Sequence, residues 1–229
     1  MTTSDMTAIR VEHDLIGDRD VPAAAYYGVH TLRAVENFPI TGQTLKESAD
    51  LIASLAAIKQ AAAEANVSLG LLDQERADAI VAACIEIRDG ALHDQFVVDL
   101  IQGGAGTSTN MNANEVIANR ALEVLGHRRG EYQHLHPNEH VNLSQSTNDV
   151  YPTALKLAAW IGVHRLVDAM AILRRAFEAK AVEFADVLKM GRTQLQDAVP
   201  MTLGQEFGTY ALMLAEDEAR LSEAVSLIR

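Results

Sequence analysis

The sequence has a single cysteine, Cys84, and no apolar run of the roughly 18 residues that a membrane span requires. One thiol cannot build a disulfide framework and is typical of a reducing compartment. Within the run IVAACIEI a buried core side chain is the expected role of Cys84, and a reactive nucleophile is the alternative. The N-terminal stretch MTTSDMTAIRVEHD lacks the apolar region of a secretory signal. We therefore expect a cytoplasmic, soluble protein with no membrane partner.

Glycine and proline are also scarce, with 14 and 5 residues among 229, whereas alanine and leucine are abundant. This composition favours helix over strand. Hydrophobic residues make up 48% of the chain, which is enough for a packed core and argues against disorder. There are 19 lysines and arginines but 31 aspartates and glutamates. The resulting net charge of -12 argues against a nucleic-acid partner. An anionic small molecule is still possible, because one local pocket can oppose the overall field.

Helical periodicity begins at Glu47, whereas residues 1–45 look irregular. Apolar residues then recur at spacings of three and four, which places them on one face of a helix. Gly70 is expected to close this first helix, and Asp73 is expected to cap the second. A third helix, NMNANEVIANRALEVLG, is expected to end at Gly126.

The polar stretch HRRGEYQHLHPNEHVN, residues 127–142, marks the predicted domain boundary. Beyond it the pattern predicts helix over 150–188 and a second long helix that starts near Pro200. The expected fold is mainly α, with an N-terminal helical domain at 1–142 and the first part of a long-helix bundle domain at 143–229. The last apolar stripe reaches the end of the sequence without a cap, so we expect other subunits, a longer natural chain, or both to cover it.

Three polar segments interrupt the apolar pattern: GAGTSTNMN at 104–112, SQSTND at 144–149 and GRTQLQD at 191–197. Each lies at a break that is predicted to adjoin a helix start. Helix N-termini carry unpaired N–H groups and a partial positive charge, so hydroxyls and amides there can bind a carboxylate without adding formal charge. The alternative is that these residues are ordinary N-caps.

Weaker candidates stand beside these segments. His134, His136, His140 and Glu139 could form a zinc site, although a solvated loop is the favoured interpretation. The glycines of GGAG lack the Gly-Lys-Ser/Thr of a phosphate loop. Trp160 is expected in the core and His164 in a structural role. No metal ligand set is assigned.

Several long motifs resemble the aspartase/fumarase superfamily. They are VPAAAYYGVHTLRAVENF, GGAGTSTNMNANEVIANRA, HPNEHVNLSQSTNDVYPTA and GRTQLQDAVPMTLGQEF, and the likeness extends over about residues 8–229. Fumarases usually have Ser where this chain has Ala105, Trp where it has Tyr27 and His where it has Gln194. The segments are more similar to the aspartate ammonia-lyase branch, which implies elimination of ammonia from L-aspartate to give fumarate. A class II fumarate hydratase and a non-catalytic scaffold subunit are the alternatives.

The resemblance also implies roles for individual residues. Thr107, Ser146 and Thr147 are expected to bind the β-carboxylate of the substrate. Asn148 and Gln194, with Thr107, are expected to contact its amino group. A neutral amide at Gln194 cannot transfer a proton, so it has no general-acid role.

Thr193 completes the substrate-binding set and is expected to contact the α-carboxylate. The serine base of the family lies on a flexible loop that has no match in these 229 residues, so no catalytic residue is expected in this chain. The resemblance further implies a homotetramer with active sites shared between subunits. It implies no cofactor, although divalent metal ions activate some members.

Overall fold

The computed structural model describes residues 8–102 and 104–228. By the contacts among its Cα atoms, the chain divides into two units, Met1–Ala158 and Ala159–Arg229. The sequence analysis placed a boundary earlier, at the end of the polar loop. The observed division falls inside the long helix that follows this loop, and the assignment of whole domains stays a prediction.

The first described element is a β-hairpin, in a region predicted to be irregular. Strand β1 (Ile9–Asp14) pairs antiparallel with β2 (Gly17–Pro22), and Gly17 takes a φ of 125° at the turn. The expectation for residues 1–45 is therefore wrong here. The one buried position of β1 is the charged Glu12, so the apolar alternation that identifies a strand is missing from the sequence.

Four helices build most of the first unit before the long helix begins. The predicted helix ends are confirmed: Gly70 and Gly126 take left-handed φ values of 70° and 81°, and Asp73 accepts the N–H of Arg76 at 2.9 Å. A turn of π-helix (Pro137–Val141) lies within the polar loop. The helices are α1 (Val29–Asn37), α2 (Ala49–Ser68), α3 (Gln74–Arg88) and α4 (Thr107–Val124).

The hydrophobic core of this unit lies among α2, α3 and α4. Cys84 is fully buried within it, which confirms the core role. Burial raises the pKa of the Cys84 thiol to about 12, so the thiol stays protonated and is a poor nucleophile. The core side chains include Ile52, Leu55, Ile80, Ile87, Ile117 and Leu122, all fully buried.

The rest of the chain consists of two long helices and a second hairpin. They are α5 (Thr147–Glu183), β3 (Leu188–Thr193), β4 (Gln196–Thr202) and α6 (Leu203–Ser226). Pro200 lies in β4 opposite Met190, so the predicted helix start near Pro200 is wrong. A two-stranded hairpin has only edge strands, where a missing N–H is tolerated. The helix begins after Thr202, whose side chain forms a capping box with Gln205.

The helices of the second unit expose much of their apolar surface. Trp160 is 41% exposed, so the expected core position is not observed in the single chain. The large hydrophobic side chains that lie at the surface include Leu166, Ile172, Leu173, Leu212 and Met213. Among the described residues, no helix combines the length and the apolar character needed to cross a bilayer.

Candidate functional site: two adjacent helix starts

The N-termini of α4 and α5 lie side by side in the first unit. The side-chain amide of Asn110 donates to the hydroxyl of Thr147 at 3.1 Å. A Cβ added to Gly106 would lie only 2.1 Å from the ring of Tyr151, so the backbone before α4 packs closely on α5. The structure therefore brings together the first two polar segments, each at a helix start as predicted.

Four of the predicted binding residues stand at these two helix starts. Thr107 is the first residue of α4 and is exposed, and Thr147 is the first residue of α5 and is half-buried. Ser146 and Asn148 flank Thr147 and are exposed. Because Thr147 accepts the bond from Asn110, its own hydroxyl proton can be donated to a ligand.

Ser146 also serves the helix itself. Its hydroxyl accepts the N–H of Asn148 at 3.2 Å, and its carbonyl accepts the N–H of Val150 at 3.0 Å. The interpretation of this residue as a cap therefore has direct structural support. A serine hydroxyl has two acceptor lone pairs and one proton, so the cap leaves the proton available to an anion.

Proline at position 152 affects the backbone of the same helix start. Pro152 lies inside α5 and has no N–H to donate to the carbonyl of Asn148, four residues earlier. The carbonyl oxygen of Asn148 thus lacks the usual helical donor.

A buried polar network lies below the start of α5, and Asn142 is its centre. The side-chain oxygen of Asn142 accepts from Lys59 at 2.8 Å, from Asn110 at 3.1 Å and from Asn114 at 3.3 Å. Its amide group donates to the carbonyl of Gln145 at 3.0 Å. This single side chain joins α2 and α4 to the backbone that leads into the second polar segment.

Lys59 is fully buried in this network. Burial lowers the pKa of its ammonium from 10.5 to about 7. An ammonium has three protons to donate, and Asn142 accepts one of them. The sequence analysis did not identify Lys59, although its position four residues after Leu55 on the apolar stripe of α2 was an available signal.

At the N-terminus of α1, in contrast to α4 and α5, the backbone N–H groups are bound by carboxylates. The buried carboxylate of Glu115 accepts the N–H groups of Gly28, His30 and Thr31 at 2.8 to 3.0 Å, and Glu12 accepts that of Val29 at 2.8 Å. Burial raises the pKa of Glu115, but hydrogen bonds from His30 and Thr31 outweigh it and lower the pKa overall. Two carboxyl groups therefore already occupy this helix start, although burial raises the pKa of Glu12.

Thr107 also lines a cleft of about 460 Å³ between α1, the first hairpin and α4. Arg33 lies in this cleft, but its guanidinium is bound in bidentate fashion by Asp14 at 2.7 and 2.9 Å. The hydrogen bond from Arg33 holds the pKa of Asp14 at about 2, so the pair stays ionised and mutually neutralised. His30 lies beside them, and the carboxylate of Glu115, 3.3 Å from its Nδ1, raises the pKa of the imidazole.

The third polar segment lies in the second unit and is not at a helix start, which corrects that expectation. It forms the turn between β3 and β4, where Gln194 and Leu195 take left-handed φ values of 49° and 62°. Thr193 and Gln194 are exposed at this turn. The sequence did not indicate this hairpin, because its strands contain Gly191 and Pro200, which are unfavourable in strand interiors, and most of their residues are exposed.

Two histidines of the suggested zinc motif, His136 and His140, form hydrogen bonds within their own loop. His140 accepts the backbone N–H of His136 at 2.8 Å through Nδ1. His136 in turn accepts the N–H of Asn138 at 3.1 Å through Nδ1. In the described part of the chain these rings therefore fix the π-turn, and the loop interpretation is the better one.

A mainly helical chain with uncharged hydroxyl and amide groups at its helix starts has the architecture of the aspartase/fumarase superfamily. The fumarate lyase:delta crystallin structure from Brucella melitensis matches it with a TM-score of 0.94 and 57% identity, over 96% of this chain and 51% of that one. A class II fumarase from Schistosoma mansoni matches with a TM-score of 0.89 and 38% identity, over 96% and 46% of the two chains.

The sequence comparison gives the family. The profile described as Lyase matches residues 17–229, and the chain belongs to this lyase family. The aspartate ammonia-lyase of Helicobacter pylori is 58% identical over 96% of this chain. The chain spans about half the length of such relatives, 47% in this case.

Proposed function

We propose that the chain is part of an aspartate ammonia-lyase, which reversibly eliminates ammonia from L-aspartate to give fumarate. The observation that carries the proposal is the identity of 58% to an aspartate ammonia-lyase, against 38% to a class II fumarase, over the same share of the chain. The neutral hydroxyls at the adjacent starts of α4 and α5 supply the chemistry that this reaction needs.

The elimination begins when a base removes a proton from the carbon next to the β-carboxylate. The electron pair moves into that carboxylate and gives an aci-carboxylate dianion. Thr107, Ser146 and Thr147 donate hydrogen bonds to it, and these bonds strengthen as negative charge develops. By analogy with oxyanion holes, each donor is worth about 2.7–4 kcal/mol of transition-state stabilisation.

The opposite end of the substrate is bound through its amino group and α-carboxylate. Asn148 contacts the amino group with its side chain. Gln194 contacts the same group and Thr193 binds the α-carboxylate, and in each shared active site these two residues come from a different subunit than Asn148. Since an amine can leave as ammonium, a neutral amide at Gln194 suffices where loss of hydroxide would need an acid.

Two further features of the proposed enzyme, its catalytic base and its oligomeric state, are implied by the family resemblance. The family resemblance places a serine base in the part of the relatives that this chain does not cover. It also implies a homotetramer in which several subunits share each active site. The exposed apolar faces of α5 and α6 are consistent with burial in such an assembly. The proposed reaction is assigned no cofactor. No residues are assigned as ligands of an activating divalent ion.

The test is fumarate formation, followed by its ultraviolet absorbance, with the protein encoded by the complete gene. We expect turnover of L-aspartate and little turnover of L-malate. Thr147→Val should lower kcat on the order of 100-fold, because one donor to the developing charge is lost. Thr153→Val is the matched control, since the Thr153 hydroxyl lies on the same helix but donates to the carbonyl of Asp149.

A class II fumarase is the second candidate, because the Schistosoma mansoni enzyme has nearly the same fold over this region. Turnover of malate without aspartate would establish it and refute the aspartase assignment. Turnover of neither substrate, by a folded protein, would instead favour a non-catalytic scaffold subunit.

A further inference from the structure

Two histidines and a glutamate meet at the end of α4, outside the proposed substrate site. His127, Glu131 and His134 each offer one ligand atom, and these atoms lie within 4.8 Å of one another. The two imidazole rings are stacked with their centroids 3.8 Å apart. His127 Nδ1 lies 3.8 Å from a carboxylate oxygen of Glu131. These three side chains form the His-Glu-His cluster.

The backbone that carries this cluster is held by several hydrogen bonds. The N–H of His127 donates to Leu122 and that of His134 to Glu131, at 2.9 and 3.0 Å. The N–H of Gly130 donates to the side chain of Asn119 at 2.8 Å. The three ligand residues are thus positioned by the end of α4 and the turn after it, so little backbone order must be gained on binding.

Two imidazoles and one carboxylate suit a borderline divalent cation such as zinc or cobalt. With metal–ligand distances of about 2.0–2.2 Å, the ligand atoms would be roughly 3.0–3.5 Å apart. The cluster must therefore contract by an ångström or so. The rings, which are parallel to within 5°, must also tilt so that their lone pairs converge on one ion.

We propose that the His-Glu-His cluster is a binding site for one divalent cation of the zinc class. The proposal rests on the proximity of three potential ligand atoms, which lie within 4.8 Å of one another. It is independent of the proposed enzymatic function.

Arg128 is the residue that competes with such an ion. Its side chain lies 2.8 Å from Oε1 of Glu131, and its backbone N–H donates to Oε2 at 3.0 Å. The Arg128 side chain is 90% exposed, so the ion pair is weak and its displacement costs little. A bound cation would take over one carboxylate oxygen and release the guanidinium to solvent. Removal of this guanidinium should therefore strengthen metal binding.

The experiment is a titration of the 229-residue chain with Co²⁺, followed by the visible absorption of the ion, and with Zn²⁺ in a calorimeter. We expect one ion per chain. His134→Ala and Glu131→Gln should each weaken binding by about 10–100-fold or more, because each removes a ligand. Arg128→Ala should tighten binding several-fold. Circular dichroism of every variant checks that the fold is retained.

His13→Ala is the matched control, because His13 pairs with the carboxylate of Asp18 at 2.7 Å without a third ligand beside it in the described structure. This variant should bind the ion as tightly as the unchanged chain. The proposal is overturned if the unchanged chain binds neither ion, if His134→Ala binds as tightly as it does, or if Arg128→Ala binds more weakly.

Discussion

Replacement of Lys59 by methionine should make the folded chain more stable at low pH while it loosens the start of α5. Lys59 is fully buried, and burial lowers the pKa of its ammonium from 10.5 to about 7. A fall of that size corresponds to a penalty of about 5 kcal/mol on the charged form in the folded state. Methionine has a similar length and carries no charge, so it removes this penalty.

The lost hydrogen bond to Asn142 opposes this gain. A bond from a charged donor contributes about 1.5–3 kcal/mol, so the net gain at low pH is about 2–3.5 kcal/mol. The oxygen of Asn142 keeps two donors, Asn110 and Asn114, and is therefore not left unsatisfied by the change.

The pH dependence has a definite sign. Below pH 7 the ammonium is charged in both the folded and the unfolded chain, and the penalty is fully present. Between about pH 7 and pH 10.5 the unfolded chain binds more protons than the folded chain, so stability rises with pH. Lys59→Met removes this rise, and the advantage of the variant should shrink as the pH increases through that range.

The assay is urea denaturation followed by circular dichroism, at about pH 6 and about pH 9.5, on either side of the pKa. Lys46→Met is the control for loss of a charge, since Lys46 is exposed and its ion pair with Glu47 is long, at 4.0 Å. Lys59→Arg should be destabilised at both values, because a larger guanidinium cannot lose its proton. The reasoning is refuted if Lys59→Met is less stable than the unchanged chain at low pH, or if its stability rises equally with pH.

The other predictions concern the helix starts and the second hairpin. Ser146→Ala should reduce thermal stability by about 1 kcal/mol or less, as expected for a cap, but lower kcat of the complete protein on the order of 100-fold. A loss of stability that accounts for the loss of activity would show that the hydroxyl is only a cap. Gly106→Ala should destabilise the fold by well over about 1–2 kcal/mol, because it meets an aromatic ring as well as an unfavourable φ of 83°. Gly90→Ala, at a φ of 101° in open space, is its control in the same denaturation experiment. Leu195→Gly should raise the melting temperature, because a fully exposed leucine there holds a left-handed φ of 62°; an unchanged value would contradict strain at this turn.

The sequence was informative where structure is determined by neighbouring residues. Gly70 and Gly126 end helices by a local change of φ, and Asp73 caps a helix through the next turn of the same chain. The first hairpin was not predicted because the one buried position of β1 is a glutamate that is balanced by Arg10, whose guanidinium lies 2.7 Å away. Such compensation depends on packing, and the spacing of apolar residues does not reveal it.

The candidate site was predictable in part for the same reason. Thr107 and Thr147 could be placed at helix starts from local pattern, but the proximity of the two helix starts depends on contacts between them, such as that of Asn110 with Thr147. Lys59 could be placed on a buried face from its spacing. Its partner Asn142 lies 83 positions away along the chain, so the pairing could not be read from the sequence.

The contrast between helix starts explains why the substrate site would lie at α4 and α5. At α1 the buried carboxylates of Glu12 and Glu115 already accept the N–H groups, and a second anion there would meet like charge. At α5 the hydrogen bonds are made by uncharged amides and hydroxyls. These groups do not cancel the partial positive charge of the helix end. Lys59 adds a buried group below this region that can carry positive charge near pH 7. In a chain with an overall charge of -12, the proposed site at the adjacent starts of α4 and α5 would thus offer a dianion hydroxyl and amide donors rather than further negative charge.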